Sequence, residues 1–373
     1  MAGIYVHIPF CKQACHYCNF HFSTSVRYKA AMLESIAQEL VNRKTYLQGQ
    51  TIGSIYFGGG TPSLLSPNEV EQLLQVIQKN YTLAEDLEIT LEANPDDLTT
   101  SYLQAIRQTP INRFSIGVQS FFENDLQFMN RAHNAQEAQR CIQLAQDQGF
   151  DNLTIDLIYG SPTTSHEQWS INLAIAFELN VPHLSCYALT VEPKTALDYQ
   201  IKKGIAPTLS EDHAATQFEI LLAQIAKNNY EQYEISNFCR GGFYAKHNTN
   251  YWTGVHYLGV GPSAHSFNGH SRQWNVANNA KYTAAITKQD SYFEIEELSP
   301  TNQHNEYIMT ALRTKWGVQK SKIVHWDTQQ KEAFDKKATQ YQQQGYMLLQ
   351  NEAYILTPKG KLIADNITAD FFI

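Results

Sequence analysis

Apolar and polar positions change period at regular intervals along the chain, and the period predicts the element. The run Gly3-Ile4-Tyr5-Val6-His7-Ile8-Pro9-Phe10 has the density of a buried strand. From Tyr28 to Lys44 the spacing turns helical, with Met32, Ile36 and Leu40 on one face and Leu33, Ala37 and Val41 beside it. Thr51 to Phe57 is again strand-like and stops at Gly58-Gly59-Gly60-Thr61-Pro62-Ser63. Ser66-Pro67-x-Glu69 then opens a helix with a capping serine and a proline in the first turn. The alternation continues through strand Leu87 to Ala93, helix Thr99 to Thr109, strand Arg113 to Val118 and helix Ala135 to Gln148. Strand Asn152 to Tyr159, helix Ser165 to Leu179 and strand His183 to Leu189 complete it.

Strict alternation of this kind predicts a parallel sheet, which an open doubly wound sheet and a barrel both satisfy. The special residues decide between them. Three cysteines, Gly58 to Thr61, Glu92-x-Asn94, Gln119 and Asp156 all fall at carboxyl ends of strands, where a barrel assembles its site from several successive strands. The expected fold is α/β, a partial (β/α)6 TIM-like barrel with a smaller C-terminal α+β module.

Past Glu192-Pro193 the rhythm breaks. Glu211 to Asn228 has a helical pattern, and Tyr233 to Phe238 reads as a short strand or extended turn. Arg240-Gly241-Gly242 links into His247-Asn248-Thr249-Asn250-Tyr251-Trp252, read as a loop, and then into glycine-rich Tyr257 to Ala264. From Pro300 helical patterns at Glu306 to Leu312 and Gln329 to Gln344 precede a two-strand hairpin, which suggests a winged-helix-like module. The expected division is a barrel over 1–209, an extension over 210–298 and this module over 299–373.

Composition narrows the class. The 373 residues are 43% hydrophobic and 17% charged, enough to bury a large core in two or three domains. A net charge of -8 opposes non-specific nucleic-acid binding, and without an arginine cluster the C-terminal module is expected to pack or to cover rather than to grip phosphates. Met1-Ala2-Gly3-Ile4 is no basic leader, and no apolar run approaches the ~20 residues of a bilayer span. A cytoplasmic protein is expected, with room left for peripheral membrane contact and for a homodimer. The 21 tyrosines and 18 phenylalanines suit a cavity for a flat aromatic ligand and an ordinary core equally well.

The candidate chemistry begins at Cys11-x-x-x-Cys15-x-x-Cys18. Three thiolates so close can wrap an iron-sulfur cluster or half-build a zinc site with His16 or His21 as fourth ligand. With no fourth cysteine beside them, one iron of a four-iron cluster would stay open to a chelating amine and carboxylate. Cys141, Cys186 and Cys239 lie far apart and read as packing residues. Three glycines after a strand allow close backbone approach to a ligand, or simply a tight turn. Glu92, at a strand end, suits an ammonium or ribose hydroxyls, or is a solvated turn residue. Asp156 interrupts an apolar strand and so needs partners. Arg131 is one candidate, and it could instead clamp a carboxylate.

Cysteines spaced C-x3-C-x2-C at the end of a first strand resemble the signature of radical S-adenosylmethionine enzymes. The lead-in Tyr5-Val6-His7-Ile8-Pro9-Phe10-Cys11 is similar to the branch that holds the oxygen-independent coproporphyrinogen III oxidase and the HemW-type heme chaperones. Two features resemble the chaperones. The oxidase has a further cysteine where this chain has Phe20, and His247-Asn248-x-x-Tyr251-Trp252 is similar to the H-N-x-x-Y-W motif associated with heme. The absence of the oxidase's leader points the same way.

The resemblance covers most of the chain up to about Tyr251. It implies a [4Fe-4S] cluster on Cys11, Cys15 and Cys18 with its fourth iron open to S-adenosylmethionine. Gly59, Gly60 and Thr61 would line the methionyl part and Tyr5 would face its carboxylate, with Tyr17, Glu92, Gln119, Arg131 and Asp156 around the rest and His247 on heme iron. The implied function is to hold heme and deliver it to heme-requiring proteins such as respiratory enzymes, with no nucleic acid involved. The first alternative is the oxidase, which abstracts hydrogen from propionate side chains before decarboxylation. The second is a zinc-stabilised binding module.

Overall fold

The computed structural model describes residues 1–373. Six parallel strands form its centre: β1 (Ala2–Ile8), β2 (Ile52–Gly59), β3 (Leu83–Ala93), β4 (Arg113–Gln119), β5 (Leu153–Tyr159) and β6 (His183–Ala188). Helices return the chain between them, among them Lys29–Asn42, Pro67–Asn80 and Ala135–Asp147. Two of these start where the sequence says they must: Ser66 with Glu69, and Asn134 with Glu137, form reciprocal capping boxes. The sheet curves without closing, as a six-unit partial barrel. At one edge β7 (Glu231–Glu234) and β8 (Asn237–Cys239) pair antiparallel with each other, and β8 pairs antiparallel with β6. At the other, β9 (Tyr257–Val260) runs parallel to β1 and continues into the antiparallel β10 (His265–Phe267), β11 (Ser271–Asn275) and β12 (Phe293–Glu297).

Alternation along each strand splits the residues into two sets. Ile4, Val6, Ile8, Ile55, Phe57, Leu91, Phe114, Ile116, Ile155 and Leu157 join the apolar core that lies under the helices. The alternate positions carry polar groups: Tyr5 and His7, Ser54 and Tyr56, Glu88 and Glu92, Arg113 and Ser115, Thr154 and Asp156, His183 and Ser185. Pairing such as Tyr5 with Tyr56, Glu92 with Ser115 and Asp156 with Ser185 holds these side chains side by side in the lumen. A barrel whose interior is polar is built to hold something polar.

The C-terminal region has its own core, with Ile308, Leu312, Phe334, Met347, Leu356 and Ile367 packed around one another. Its sheet has one strand more than the expected hairpin, because β13 (Val318–Gln319) pairs with β15 (Ala353–Leu356), which in turn pairs with β14 (Met347–Gln350). No helix is long and apolar enough to cross a membrane. The segment expected to be a loop around His247 is helix Lys246–Thr253 instead.

Candidate functional site at the barrel mouth

β1 runs directly into the cysteine loop, and the glycines of β2 lie against the base of that loop. The Gly60 amide donates to Ile8 O at 2.9 Å and the Thr61 amide to Phe10 O at 2.6 Å. A Cβ on Gly60 would stand 2.5 Å from Phe10 O and 2.7 Å from Ile8 O, and Gly59 has φ +101°. Only glycine permits that approach. The far side of the loop is pinned as well, with the His16 amide donating to Met129 O at 3.1 Å and the Leu197 amide to His16 O at 2.8 Å.

Cys11, Cys15 and Cys18 are free and half-buried, whereas Cys141, Cys186 and Cys239 are buried in the core. Burial pushes the Cys11 thiol up to about 11, and the other two thiols add to that while Arg131 opposes it. Arg131 is the electrostatic centre of the mouth. Its Nη1 donates to Cys15 Sγ at 3.1 Å, and its Nη2 to Asn94 Oδ1 at 2.9 Å and to Gly117 O at 2.7 Å. Its buried Nε has no partner, so the guanidinium still has donor capacity to give.

Two carboxylates share the lumen below. Glu92 accepts from Tyr56 OH at 2.7 Å and from the Gly59 amide at 3.2 Å. Burial, reinforced by Asp156, pushes its carboxyl up to about 7. Asp156 is pushed up to about 6 by burial, against the pull of Arg131 and Arg113. A cation delivered here would find two carboxyl groups that need one to ionise. Gln119 closes β4 in a left-handed conformation, φ 68°, an uncommon geometry for a side-chain-bearing residue that clusters at ligand sites. Tyr17 packs beside the small apolar group of Met129, Ile158, Leu189 and Leu197. Tyr5 donates to His7 Nδ1 at 3.2 Å, since His7 Nε2 is committed to His21 O at 2.9 Å.

His247 is elsewhere. It is 1% exposed, with Nδ1 on Ser54 Oγ at 2.9 Å and Nε2 on Tyr251 OH at 3.0 Å. Its ring lies between the first inward positions of β1 and β2, 3.1 Å from where a Cβ on Gly3 would be. Helix Lys246–Thr253 is thus the floor of the barrel. Tyr251 sets its ring edge-on to Tyr257 at 4.7 Å, and Trp252 lies under the Arg313 guanidinium at 5.0 Å. In this conformation the segment presents no open imidazole to a porphyrin.

The remaining candidates converge: cysteines, glycine cradle, Arg131 with its spare donor and the paired carboxyls all face one mouth. In residue type they suit an iron-sulfur cluster beside a cofactor that carries both an amine and a carboxylate, while no three His, Cys, Asp or Glu side chains are gathered closely enough to hold a single metal ion. The imidazoles considered as zinc ligands are engaged in other bonds, His16 Nδ1 with Phe128 O at 2.9 Å and His21 Nε2 with Asn279 Oδ1 at 2.7 Å.

The heme chaperone HemW of Bacillus subtilis is 31% identical over 377 residues, covering 100% of this chain and 99% of that protein. The chain belongs to the HemW family. The Escherichia coli heme chaperone HemW is 38% identical over 267 residues, 70% of this chain and 69% of that one. Residues 5–171 match the Radical SAM superfamily and residues 298–363 the HemN C-terminal domain. The solved coproporphyrinogen III oxidase (HemN) from Escherichia coli, a radical SAM enzyme, superposes with a TM-score of 0.85 over 99% of this chain and 89% of its own at 24% identity, a likeness of fold. Membership of the superfamily implies a [4Fe-4S] cluster and S-adenosylmethionine.

Sequence reasoning missed Tyr56 and His7 as members of this site. Both were legible as the strand positions flanking Tyr5 at period two or across the pair, and only the register Tyr5 to Tyr56 gives them a role.

Proposed function

We propose that this protein is a heme chaperone of the cytoplasm, which keeps a radical SAM site at the barrel mouth, receives heme as cargo and hands it to heme-requiring proteins. The observation that carries it is a loop of three free thiols, packed on the Gly60 turn and tied through Cys15 to Arg131, in a chain related over its whole length to proteins named heme chaperones. Cys11, Cys15 and Cys18 hold the cluster, with the fourth iron left to S-adenosylmethionine. Gly59, Gly60 and Thr61 flank the methionyl group, Tyr5 and Tyr17 bound the chamber, Glu92 and Asp156 take cationic or hydroxyl groups, and Gln119 and Arg131 receive oxygen atoms. A cluster held there would supply one-electron reducing chemistry at the sulfonium.

His247 is the proposed iron ligand for heme, and to serve as one its Nε2 must first leave Tyr251. Anaerobic reconstitution followed by hemin titration tests the reading. Broad iron-sulfur absorption, a Soret band on hemin addition and transfer to an apo-heme acceptor are expected. Conversion of coproporphyrinogen III to protoporphyrinogen, or absence of a hemin complex, would reject it.

A further inference from the structure

The segment that resembles the heme motif and the mouth that fits S-adenosylmethionine lie at opposite ends of one lumen, and a single stack of rings joins them. His247 lies 5.1 Å from the ring of Tyr56 with 25° between the planes, and 6.3 Å from the ring of Tyr5 with 27° between them. Tyr5 and Tyr56 are themselves 6.2 Å apart and nearly parallel. Tyr56 then donates its hydroxyl to Glu92, whose other oxygen accepts from Gly59 in the cradle. In this conformation His247 is held on every side. Ser54 and Tyr251 hold its two nitrogens, and Glu88 accepts its backbone amide at 3.1 Å and that of Lys246 at 3.1 Å.

We propose that His247 is a positioning residue for the S-adenosylmethionine seat, the wall that fixes Tyr56 and, through its hydroxyl, the Glu92 carboxylate. The inference rests on the reading of the mouth as that seat. A phenol ring packed on a fixed imidazole keeps its hydroxyl oxygen in one place. Without the imidazole the space behind Tyr56 opens, the ring gains rotamers, and Glu92 loses a partner that shares its proton demand. The route is physical contact throughout, and each step has a separate substitution.

The test is calorimetric titration of S-adenosylmethionine into the full chain with its cluster reconstituted, cluster content being checked by absorbance for each variant. His247→Ala and Tyr56→Phe should each weaken binding by roughly tenfold, the loss of about one hydrogen bond's worth of alignment. The double variant should be no weaker than the worse single, because both act through the same carboxylate. His247→Phe, which restores a flat wall and has no nitrogen to offer to a metal, should recover most of the affinity lost in His247→Ala. A purely structural role would not give that rescue together with that non-additivity. Affinity unchanged in His247→Ala, losses that multiply in the double variant, or His247→Phe as weak as His247→Ala would each overturn the proposal. Glu92→Gln separates the two levels. If it loses affinity while His247→Ala does not, the seat stands and the wall falls; if it binds like the parent, seat and wall fall together.

Discussion

The two ends of the lumen handle polar groups in opposite ways. At the floor, most capacity is spent internally, Arg113 Nε being the exception without a hydrogen-bond partner: Glu88 takes two helix amides and lies 3.8 Å from Arg113, Arg113 donates to Thr154, and Thr154 passes to His183 and on to Tyr233 OH. At the mouth it is left open. The three thiols have one protein partner each, Thr61 for Cys11, Arg131 for Cys15 and the Phe20 backbone for Cys18, Arg131 Nε has none, and two carboxyls are held in an environment that resists their ionisation. A closed network rigidifies, whereas unpaired buried groups cost free energy until a ligand satisfies them. The floor, His247 with its ring contact to Tyr56 apart, is therefore where substitutions should cost stability, and the mouth where they should cost binding.

The largest break in that contrast is at the thiols. Alanine at any one of Cys11, Cys15 or Cys18 should abolish iron incorporation, read as loss of the visible absorption after reconstitution, because two thiolates do not hold a four-iron cluster. Cys141→Ala, Cys186→Ala and Cys239→Ala should reconstitute as the parent does, since all three are packed in the barrel or against β6. A cluster that survives Cys15→Ala would place its ligands elsewhere.

Gly60 comes next. From the sequence, valine there should block S-adenosylmethionine and spare the cluster. The structure changes that expectation, because a new Cβ meets Phe10 O at 2.5 Å, one residue before Cys11. Even Gly60→Ala should strain the cysteine loop by about 1–3 kcal/mol and lower the iron content along with the cofactor affinity. Full iron content with affinity lost would restore the simpler expectation.

At the floor, Glu88→Ala takes the acceptor from two helix amides and the carboxylate 3.8 Å away from the buried Arg113. A loss of roughly 3 kcal/mol should lower Tm by about 4 °C in thermal unfolding. Its iron content, normalised to folded protein, should stay at the parent level. A stable Glu88→Ala with an impaired cluster would reverse the roles of the two ends.

How each end was legible follows from the same chemistry. The mouth is made of strand termini, and strands announce themselves through local apolar runs, so Glu92, Gln119 and Asp156 were recognisable as misfits within a few residues of sequence. The floor is made of distant pairs. Lys-His-Asn-Thr-Asn-Tyr-Trp looks like a loop because it holds weak helix formers and Ala245 offers no capping side chain. The cap comes from Glu88, in another strand altogether, and Gly254 ends the helix in the left-handed region at φ 72°. Likewise β9 to β12 stayed hidden because strands of three to five residues carry too little pattern.

A finer distinction concerns protons at the mouth. Glu92 is raised from 4.5 to about 7 and Asp156 from 3.8 to about 6, so both favour the protonated form in the folded chain. Without cofactor, their contribution to stability is full below the unfolded values and is lost as pH rises through about 6 to 7. A ligand that brings an ammonium or sulfonium selects the ionised forms, so its affinity should move the other way and rise across that same interval. Glu92→Gln should flatten the upper part of the rise. An affinity independent of pH in the parent would mean that neither carboxyl faces the cationic part of the cofactor.

The smallest expected effect joins the two ends. If His247 takes heme iron through Nε2, the bond to Tyr251 must open and the ring must turn from its stack on Tyr56. By reciprocity, whatever hemin binding does to S-adenosylmethionine affinity, the cofactor does equally to hemin affinity. Exchanging one buried hydrogen bond and one stacking contact sets that coupling at about 1 kcal/mol, roughly a fivefold weakening of each ligand by the other. Titrating hemin at saturating and at zero S-adenosylmethionine measures it directly, with the Soret band as readout. In His247→Phe the Soret band should shift for want of the imidazole and the coupling should vanish, while His265→Ala and His270→Ala, on the antiparallel edge beyond β9, should keep both. Coupling that persists undiminished in His247→Phe would locate the iron on another ligand and leave the floor helix with its structural work alone.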